Sequence, residues 1–274
     1  MKSLHAFFLF SALSAVLAGA AQADEFSTSS RKQWEGTTVS IGTQSWSWTE
    51  TNEDGSRFLS ERGNNVLQLE LKQTFTLYDP AIAHSVGVKL ARGRITYEGA
   101  FVDGPAVTST TVWDAAEIYY GQARPLGDTG LEWTAGVGAE IKQRNIWNPA
   151  TEKYQREDYT GALLSVGLQV PRPHTNGWFC GAGVTLTLAT RANPNTQDLG
   201  FKEAVKVTPT SAFGVHAHVA YAFSPQTALE LHWQQQRWGI SNKVDVTDAK
   251  GAAYQLWQPA SILGRATLKL SHRF

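Results

Sequence analysis

The chain of 274 residues carries 24 Lys and Arg side chains against 24 Asp and Glu, so no basic excess points to nucleic acid as a partner. Its single cysteine, Cys180, excludes an intramolecular disulfide scaffold. No apolar run is long enough for a transmembrane helix. The chain could therefore enter a membrane only as a closed barrel, whose strands satisfy one another's backbone groups.

The first residues read as a secretory signal. Lys2 precedes an apolar run over residues 6–18, and an A-x-A cleavage site ends at Ala23. The run of about 13 residues is too short to span a bilayer as a helix. We therefore expect three segments: a signal peptide over residues 1–23, a polar periplasmic lead-in over residues 24–33, and a β-barrel over residues 34–274.

Beyond the lead-in, apolar and polar residues alternate in segments separated by turn signals. In residues 66–77, for example, Leu67, Leu69 and Leu71 alternate with Gln68 and Glu70. This period of two predicts strands with one apolar face. The pattern predicts ten strands, at residues 34–48, 66–77, 84–97, 113–124, 131–142, 159–170, 178–191, 211–223, 227–238 and 265–274.

The connections between these strands alternate long and short, beginning with a long one at residues 49–64. An even number of strands brings both chain ends to the same side, as in bacterial outer-membrane barrels. The sequence therefore predicts an all-β, antiparallel transmembrane β-barrel of ten strands. The third and fourth strands are less regular, which leaves eight or twelve strands open.

Residues 265–274 (RATLKLSHRF) form an amphipathic strand from Arg265 to Phe274. A chain that ends on an aromatic residue of such a strand resembles the Gram-negative outer-membrane β-barrel proteins, although His272 replaces their usual aromatic residue third from the end. The resemblance implies a place in the outer membrane, with its lipid and lipopolysaccharide as partners. It also implies recognition of this strand by the barrel-assembly machinery.

A soluble barrel would direct charged faces to water, whereas several polar faces here consist of small residues such as Gly136, Gly138, Gly181 and Gly183. Small side chains favour a narrow lumen. Aromatic residues at the predicted strand ends indicate two interfacial girdles. The predicted outer girdle comprises Trp46, Trp48, Tyr97, Trp113, Trp147, Tyr159, Trp238 and Trp257, and the inner one Trp34, Phe75, Tyr78, Trp133, Trp178, Tyr221, Phe223 and Phe274.

The lumen of a ten-strand barrel should be largely filled by side chains, because open channels belong to barrels of about 16 strands or more. A general diffusion porin is therefore disfavoured. We expect a surface or structural role, or a porin-like narrow channel. No cofactor is predicted.

One polar cluster is predicted on strands eight and nine. The short turn after Phe223 pairs residues whose numbers sum to 450, which sets His218 opposite His232 and His216 opposite Gln234. Glu230 then lies diagonal to His218. These weak candidate catalytic residues, His216, His218, Glu230 and His232, could serve a hydrolase in which Glu230 orients a general base. We favour instead a polar lumen network in which these residues, Arg265 and Lys269 satisfy one another, because an unpaired buried charge is costly. The residues lack the spacing of a recognised metal site.

Chain length and strand number resemble those of the omptin proteases, whose acidic pairs and Asp-His pair lie near the extracellular rim. Asp114 and Glu117 are the nearest counterparts here, and the sequence has no matching Asp-His pair. A lipid-modifying enzyme would need a His-Ser pair near the rim facing lipid, whereas His216 and His218 are predicted to face the lumen. The omptin resemblance is therefore limited to architecture, and an outer-membrane hydrolase is the alternative function.

Overall fold

The computed structural model describes residues 35–100, 106–196, 200–202 and 204–274. The predicted signal peptide over residues 1–23, the lead-in over residues 24–33, Trp34, and residues 103–105 of a predicted loop all lie outside the described residues. In the described ranges, no helix is long and apolar enough to cross a membrane.

The described chain is organised as one barrel with a small accessory hairpin. Ten strands close into an antiparallel barrel in the order β1-β12-β9-β8-β7-β6-β5-β4-β3-β2, and β10 pairs with β11 in a separate sheet. The strands are β1 Gly36–Thr51, β2 Arg57–Thr76, β3 Ala83–Ala100, β4 Ala106–Pro125, β5 Glu132–Asn148, β6 Lys153–Gln169, β7 Gly177–Pro194, β8 Ala212–Ala222, β9 Thr227–Trp238, β10 Val244–Thr247, β11 Ala253–Leu256 and β12 Ala260–Arg273. The predicted ten-strand barrel is confirmed.

The first and last strands close the barrel by pairing with each other. Ile41 lies opposite Leu270 and Thr43 opposite Leu268, in an unbroken register from Thr38 to Thr51. Closure leaves the barrel without an edge strand, so all ten strands have two hydrogen-bonded neighbours.

The outward face carries a continuous band of exposed aliphatic residues, here called the apolar belt. Ile41 is 52% exposed and Ile141 57% exposed, although both lie in regular strands. In water this face would cost about 25 cal/mol for each Å² of apolar surface, whereas in lipid it costs nothing. The belt therefore defines a transmembrane β-barrel. It comprises Val39, Ile41, Leu67, Leu69, Leu71, Val86, Val88, Leu90, Ile118, Val137, Ile141, Leu164, Val166, Leu168, Leu186, Leu229, Leu231, Leu268 and Leu270.

The two ends of the barrel differ. One, the loop end, bears the connections at residues 195–211 and 239–259, and the latter contains the β10-β11 hairpin. The other, the terminal end, is where β1 begins and β12 ends, and its connections are short turns. Because the strands continue to pair above the belt, the predicted loops at residues 49–64 and 147–157 are mostly strand. A β-bulge between Gln44 and Trp46 absorbs the extra length of β2.

The predicted outer girdle is wrong for most of its members. Six of the aromatic residues point into the lumen and are 1–6% exposed: Trp46, Trp48, Tyr97, Trp113, Tyr159 and Trp238. The prediction considered their position near strand ends and neglected the pleat, which puts each of them on the polar face of its strand. At the terminal end, Tyr78, Trp178, Phe223 and Phe274 are exposed, as an interfacial girdle requires.

The belt yields a direct test. Replacing Leu268 by Arg puts a charge at the lipid-facing middle of β12, and we expect the free energy of unfolding in lipid vesicles to fall by about 2–4 kcal/mol. Phe58→Arg provides the matched control, because Phe58 is 42% exposed near the loop end of β2 and outside the belt. Equal losses for the two variants would contradict the position of the belt.

Candidate functional site

The predicted histidines meet inside the barrel, toward its terminal end. His218 lies opposite His232, and His216 lies opposite Gln234, as the sequence predicted. The imidazole rings of His218 and His232 stack with their centroids 5.1 Å apart. We call His216, His218, Glu230 and His232 the histidine cluster.

Glu230 is the centre of this cluster. Its carboxylate accepts hydrogen bonds from Ser271 Oγ at 2.6 Å and contacts His232 Nε2 at 2.8 Å. Lys269 Nζ lies 3.3 Å from the same carboxylate and 2.7 Å from Glu70. Lys269 on β12 therefore bridges Glu70 on β2 and Glu230 on β9.

The hydroxyl groups beside the cluster decide what chemistry it could perform. A nucleophilic serine must donate to the histidine that an acid orients. Here Ser271 donates to Glu230 itself, and Thr185 Oγ1 contacts His216 Nδ1 at 3.1 Å. This arrangement satisfies the carboxylate and does not form a relay to a serine, so a hydrolytic reaction here would need water as the nucleophile. In the described part of the chain, no group of three or more His, Cys, Asp or Glu side chains is arranged to hold a metal ion.

The small residues of the lumen make room for the imidazoles. A Cβ atom on Gly181 would lie 2.6 Å from His218 Cε1, and one on Gly183 would lie 2.7 Å from His216 Nε2. On β5, Thr134, Gly136 and Gly138 are partly exposed, whereas Glu140, Lys142 and Arg144 are buried. Along β5, the inward residues are therefore less tightly packed in the terminal half of the lumen than above Glu140.

The filled part begins with a layer of paired polar side chains in the middle of the barrel. Lys142 Nζ lies 2.6 Å from Glu140, and Arg265 donates to Gln234 Oε1 at 2.6 Å. Gln44 bonds to Gln68 and to Thr267 in the same layer. Each pairing joins side chains of the same strand or of neighbouring strands, so the layer is a connected packing of polar groups.

Above this layer, one arginine holds three carboxylates. Arg144 Nη1 lies 2.6 Å from Glu50 and 3.0 Å from Glu157, and its Nε donates to Glu61 at 3.0 Å. The Arg144 side chain is 1% exposed. Because an uncompensated buried charge is costly, each of these groups depends on the others.

Aromatic rings surround this centre. Trp48 contacts Trp113, Tyr159 and Trp238 with ring centroids 5.4–5.6 Å apart. Trp48 Nε1 donates to Glu50, and Trp113 Nε1 donates to Glu61, both at 2.7 Å. Arg144, its three glutamates and these rings are named the loop-end plug.

The connection at residues 239–259, between β9 and β12, covers the loop-end plug. Gln258 donates from its side chain to Glu50 at 3.0 Å and from its backbone to Ser241 Oγ at 2.7 Å. Apolar residues of the loop-end connections, including Phe201, Val207 and Val246, belong to the same buried cluster as Trp48. The lumen is therefore closed toward the loop end.

Sequence reasoning missed the plug. Arg144 lies just beyond the predicted end of the fifth strand, while Glu61 and Glu157 fall in predicted loops. The signal that could have found it is the pleat, because Arg144 continues the inward set of Glu140 and Lys142. Asp114, considered with Glu117 as an omptin-like counterpart, instead forms a 3.4 Å ion pair with Arg92, whose side chain is 77% exposed.

Comparisons with known proteins identify no family. No family model matches the chain, and no curated protein matches it. Among solved structures, the chain is similar to the outer membrane protease OmpT of Escherichia coli, with 10% identity, a TM-score of 0.49, and coverage of 87% of this chain and 97% of that one.

Two other similar structures are also outer-membrane barrels. The translocator domain of the autotransporter NalP from Neisseria meningitidis has 12% identity and a TM-score of 0.41, covering 100% of this chain and 97% of that one. The attachment invasion locus protein Ail of Yersinia pestis has 11% identity and a TM-score of 0.38, covering 88% and 99%. The assignment as a transmembrane β-barrel rests on the strand pairing and the apolar belt described above.

The bridging lysine can be tested by substitution. Lys269→Met removes the cation that contacts both Glu70 and Glu230, and we expect the free energy of unfolding to fall by about 3 kcal/mol. Lys89→Met is the matched control, because Lys89 pairs with Glu117 at 2.8 Å but is 35% exposed. That variant should lose less than about 1 kcal/mol. Similar losses measured by denaturant unfolding in detergent would contradict the central role of Lys269.

Proposed function

We propose that this protein is an integral barrel of the bacterial outer membrane with a plugged, non-conducting lumen and a surface or structural role. The amino-terminal signal pattern, the terminal strand that ends on Phe274 and the exposed belt support the location. In this orientation the terminal end faces the periplasm and the loop end faces the exterior. The strand β12 is the segment that the assembly machinery would recognise.

The observation that carries this proposal is the loop-end plug. A channel needs a continuous water path, whereas Arg144 and its carboxylates crosslink β1, β2, β5 and β6 across the lumen. The rings packed around them exclude water from the same level. A narrow channel would therefore require this network to break.

The connections that cover the plug at the loop end support a surface role. In the last connection, Lys243 Nζ lies 2.6 Å from Glu53 of the first loop and 5.1 Å from the ring centroid of Trp257. These contacts tie separate connections into one cap above the plug. Lipopolysaccharide and outer-membrane lipid are the proposed neighbours of the cap and of the belt beneath it.

Single-channel conductance tests whether the loop-end plug closes the lumen. The wild-type barrel, reconstituted in a planar bilayer, should show no steady current. Arg144→Ala removes the cation between three glutamates, and their mutual repulsion should open a water path with measurable single-channel steps. Arg92→Ala, which removes an exposed arginine from the outer wall, should remain silent.

A steady current through the wild-type barrel would contradict the proposal and favour the narrow channel. If Arg144→Ala does not assemble, Trp48→Ala provides a second route, because it removes the ring at the centre of the plug and retains every charge. A folded Trp48→Ala barrel that remains silent would show that the plug is not the barrier.

The second candidate function is a hydrolase of the outer membrane. It is favoured by the contact between His232 and Glu230 in the terminal half of the lumen, where an oriented imidazole could activate a water molecule. The double variant His218→Gln and His232→Gln should abolish peptide or lipid-ester hydrolysis if the cluster is catalytic. Under the structural role the same variant should lower only the melting temperature, and the wild type should show no hydrolysis in either assay.

A further inference from the structure

We propose that the terminal mouth of the lumen binds a soluble phosphate-bearing anion between Lys72, Arg172 and Thr38. This inference concerns the end of the barrel opposite the plug and is independent of whether the plug ever opens. It rests on two cations that form no ion pair, and on buried polar atoms that have no hydrogen-bond partner, among the described residues.

Thr38 marks the centre of the site. It lies directly opposite Lys72 on one side and Arg273 on the other, so the three side chains form one row on the inner face. Such neighbours have Cβ atoms about 4.5–5.5 Å apart. Thr38 is 4% exposed, and its Oγ1 atom has no hydrogen-bond partner among the described residues. A buried hydroxyl between two cations is a donor available to an anion.

Arg172, in the turn between β6 and β7, lies near enough to Arg273 for the two cations to repel each other, which places it at the same end of the lumen as Thr38. Its guanidinium lies 5.9 Å from the ring centroid of Phe179, and Nη2 donates to Ser224 O at 3.4 Å. Phe179 in turn contacts the ring of His218, which places Arg172 on the wall below the histidine cluster. The Nε atom of Arg172 is buried and has no hydrogen-bond partner in the described ranges.

These cations are only partly compensated: Glu230 attracts both Lys72 and Arg172, and Glu70 also attracts Lys72. Of the glutamates in this half of the lumen, Glu70 and Glu230 are both in contact with Lys269, and Glu132 accepts a hydrogen bond from Gln169. Neither Lys72 nor Arg172 forms an ion pair within the described part of the chain. Two unpaired cations in a confined space repel each other, and a bound anion removes that cost.

The chemistry of the donors selects the ligand. A guanidinium and an ammonium group, together with a hydroxyl, suit the several oxygens of a phosphate group, and charge-assisted hydrogen bonds of this kind are the strongest available. The long connections that cover the plug lie at the loop end, so we place the entry of a soluble ligand at the terminal end.

Thermal unfolding in detergent free of phospholipid tests the site, with inorganic phosphate as the probe and chloride at the same ionic strength as the reference. Phosphate should raise the melting temperature of the wild type in a saturable way, because it binds only the folded barrel. Lys72→Gln and Arg172→Gln should each weaken the apparent affinity roughly tenfold, the loss of one charge-assisted hydrogen bond. Arg94→Gln, which changes an exposed arginine on the outer wall of β3, should leave the affinity unchanged.

Folding and binding can be separated in the same experiment. Lys72→Gln removes an unpaired cation, so its melting temperature in chloride should be equal to or above that of the wild type even though its response to phosphate is weakened. An absent phosphate effect on the wild type, or an equal loss in Arg94→Gln, would overturn the proposal. A shift produced by micellar phosphatidylglycerol but not by inorganic phosphate would also overturn it, because the ligand would then be a lipid headgroup.

Discussion

The pleat of a closed sheet is the constraint on which the rest of this structure depends. In a barrel without edges, every residue of a strand faces either lipid or lumen, and a shift of one residue would exchange the two faces. Ile41 and Leu268 can remain outside only if Thr43, Gln44 and their neighbours keep this phase through the full length of β1. The polar and aromatic residues at the alternate positions therefore face the lumen. Their hydrogen-bonding groups and charges must find partners there without bulk water.

The lumen meets this requirement with two networks of opposite charge balance. At the loop end one arginine serves three glutamates, an excess of formal negative charge, and the surrounding indoles donate hydrogen bonds that offset it. In the terminal half, Lys72, Lys269, Arg172 and Arg273 outnumber Glu70, Glu132 and Glu230. An anion that enters from the terminal end would be attracted by the mouth and repelled by the plug, so the barrel is suited to holding an anion at one end without conducting it.

Much of the fold could be predicted from the sequence because its main signal is local. Alternation identified the strands, and the short turn before Thr227 fixed the pairing of His218 with His232, since a tight turn leaves little freedom of register. The plug could not be predicted in the same way. Glu61 reaches Arg144 only because a bulge shifts the upper part of β2, and no local pattern indicates where paired strands extend beyond the membrane.

The incorrect prediction of the outer girdle has a similar cause, and it concerns residues that build the loop-end plug. An aromatic residue near a strand end was expected at the interface, yet Trp48 and Trp113 follow the inward phase of their strands and pack around Arg144. Rings at this position are useful inside a membrane barrel, because an indole both fills space and donates one hydrogen bond to a carboxylate. Glycines in the terminal half have the opposite effect, since Gly181 and Gly183 leave room for the imidazoles of His218 and His216. The inward pattern of large and small residues therefore closes the lumen at the loop end and packs it less tightly in the terminal half, so a ligand of the lumen would enter from the terminal side.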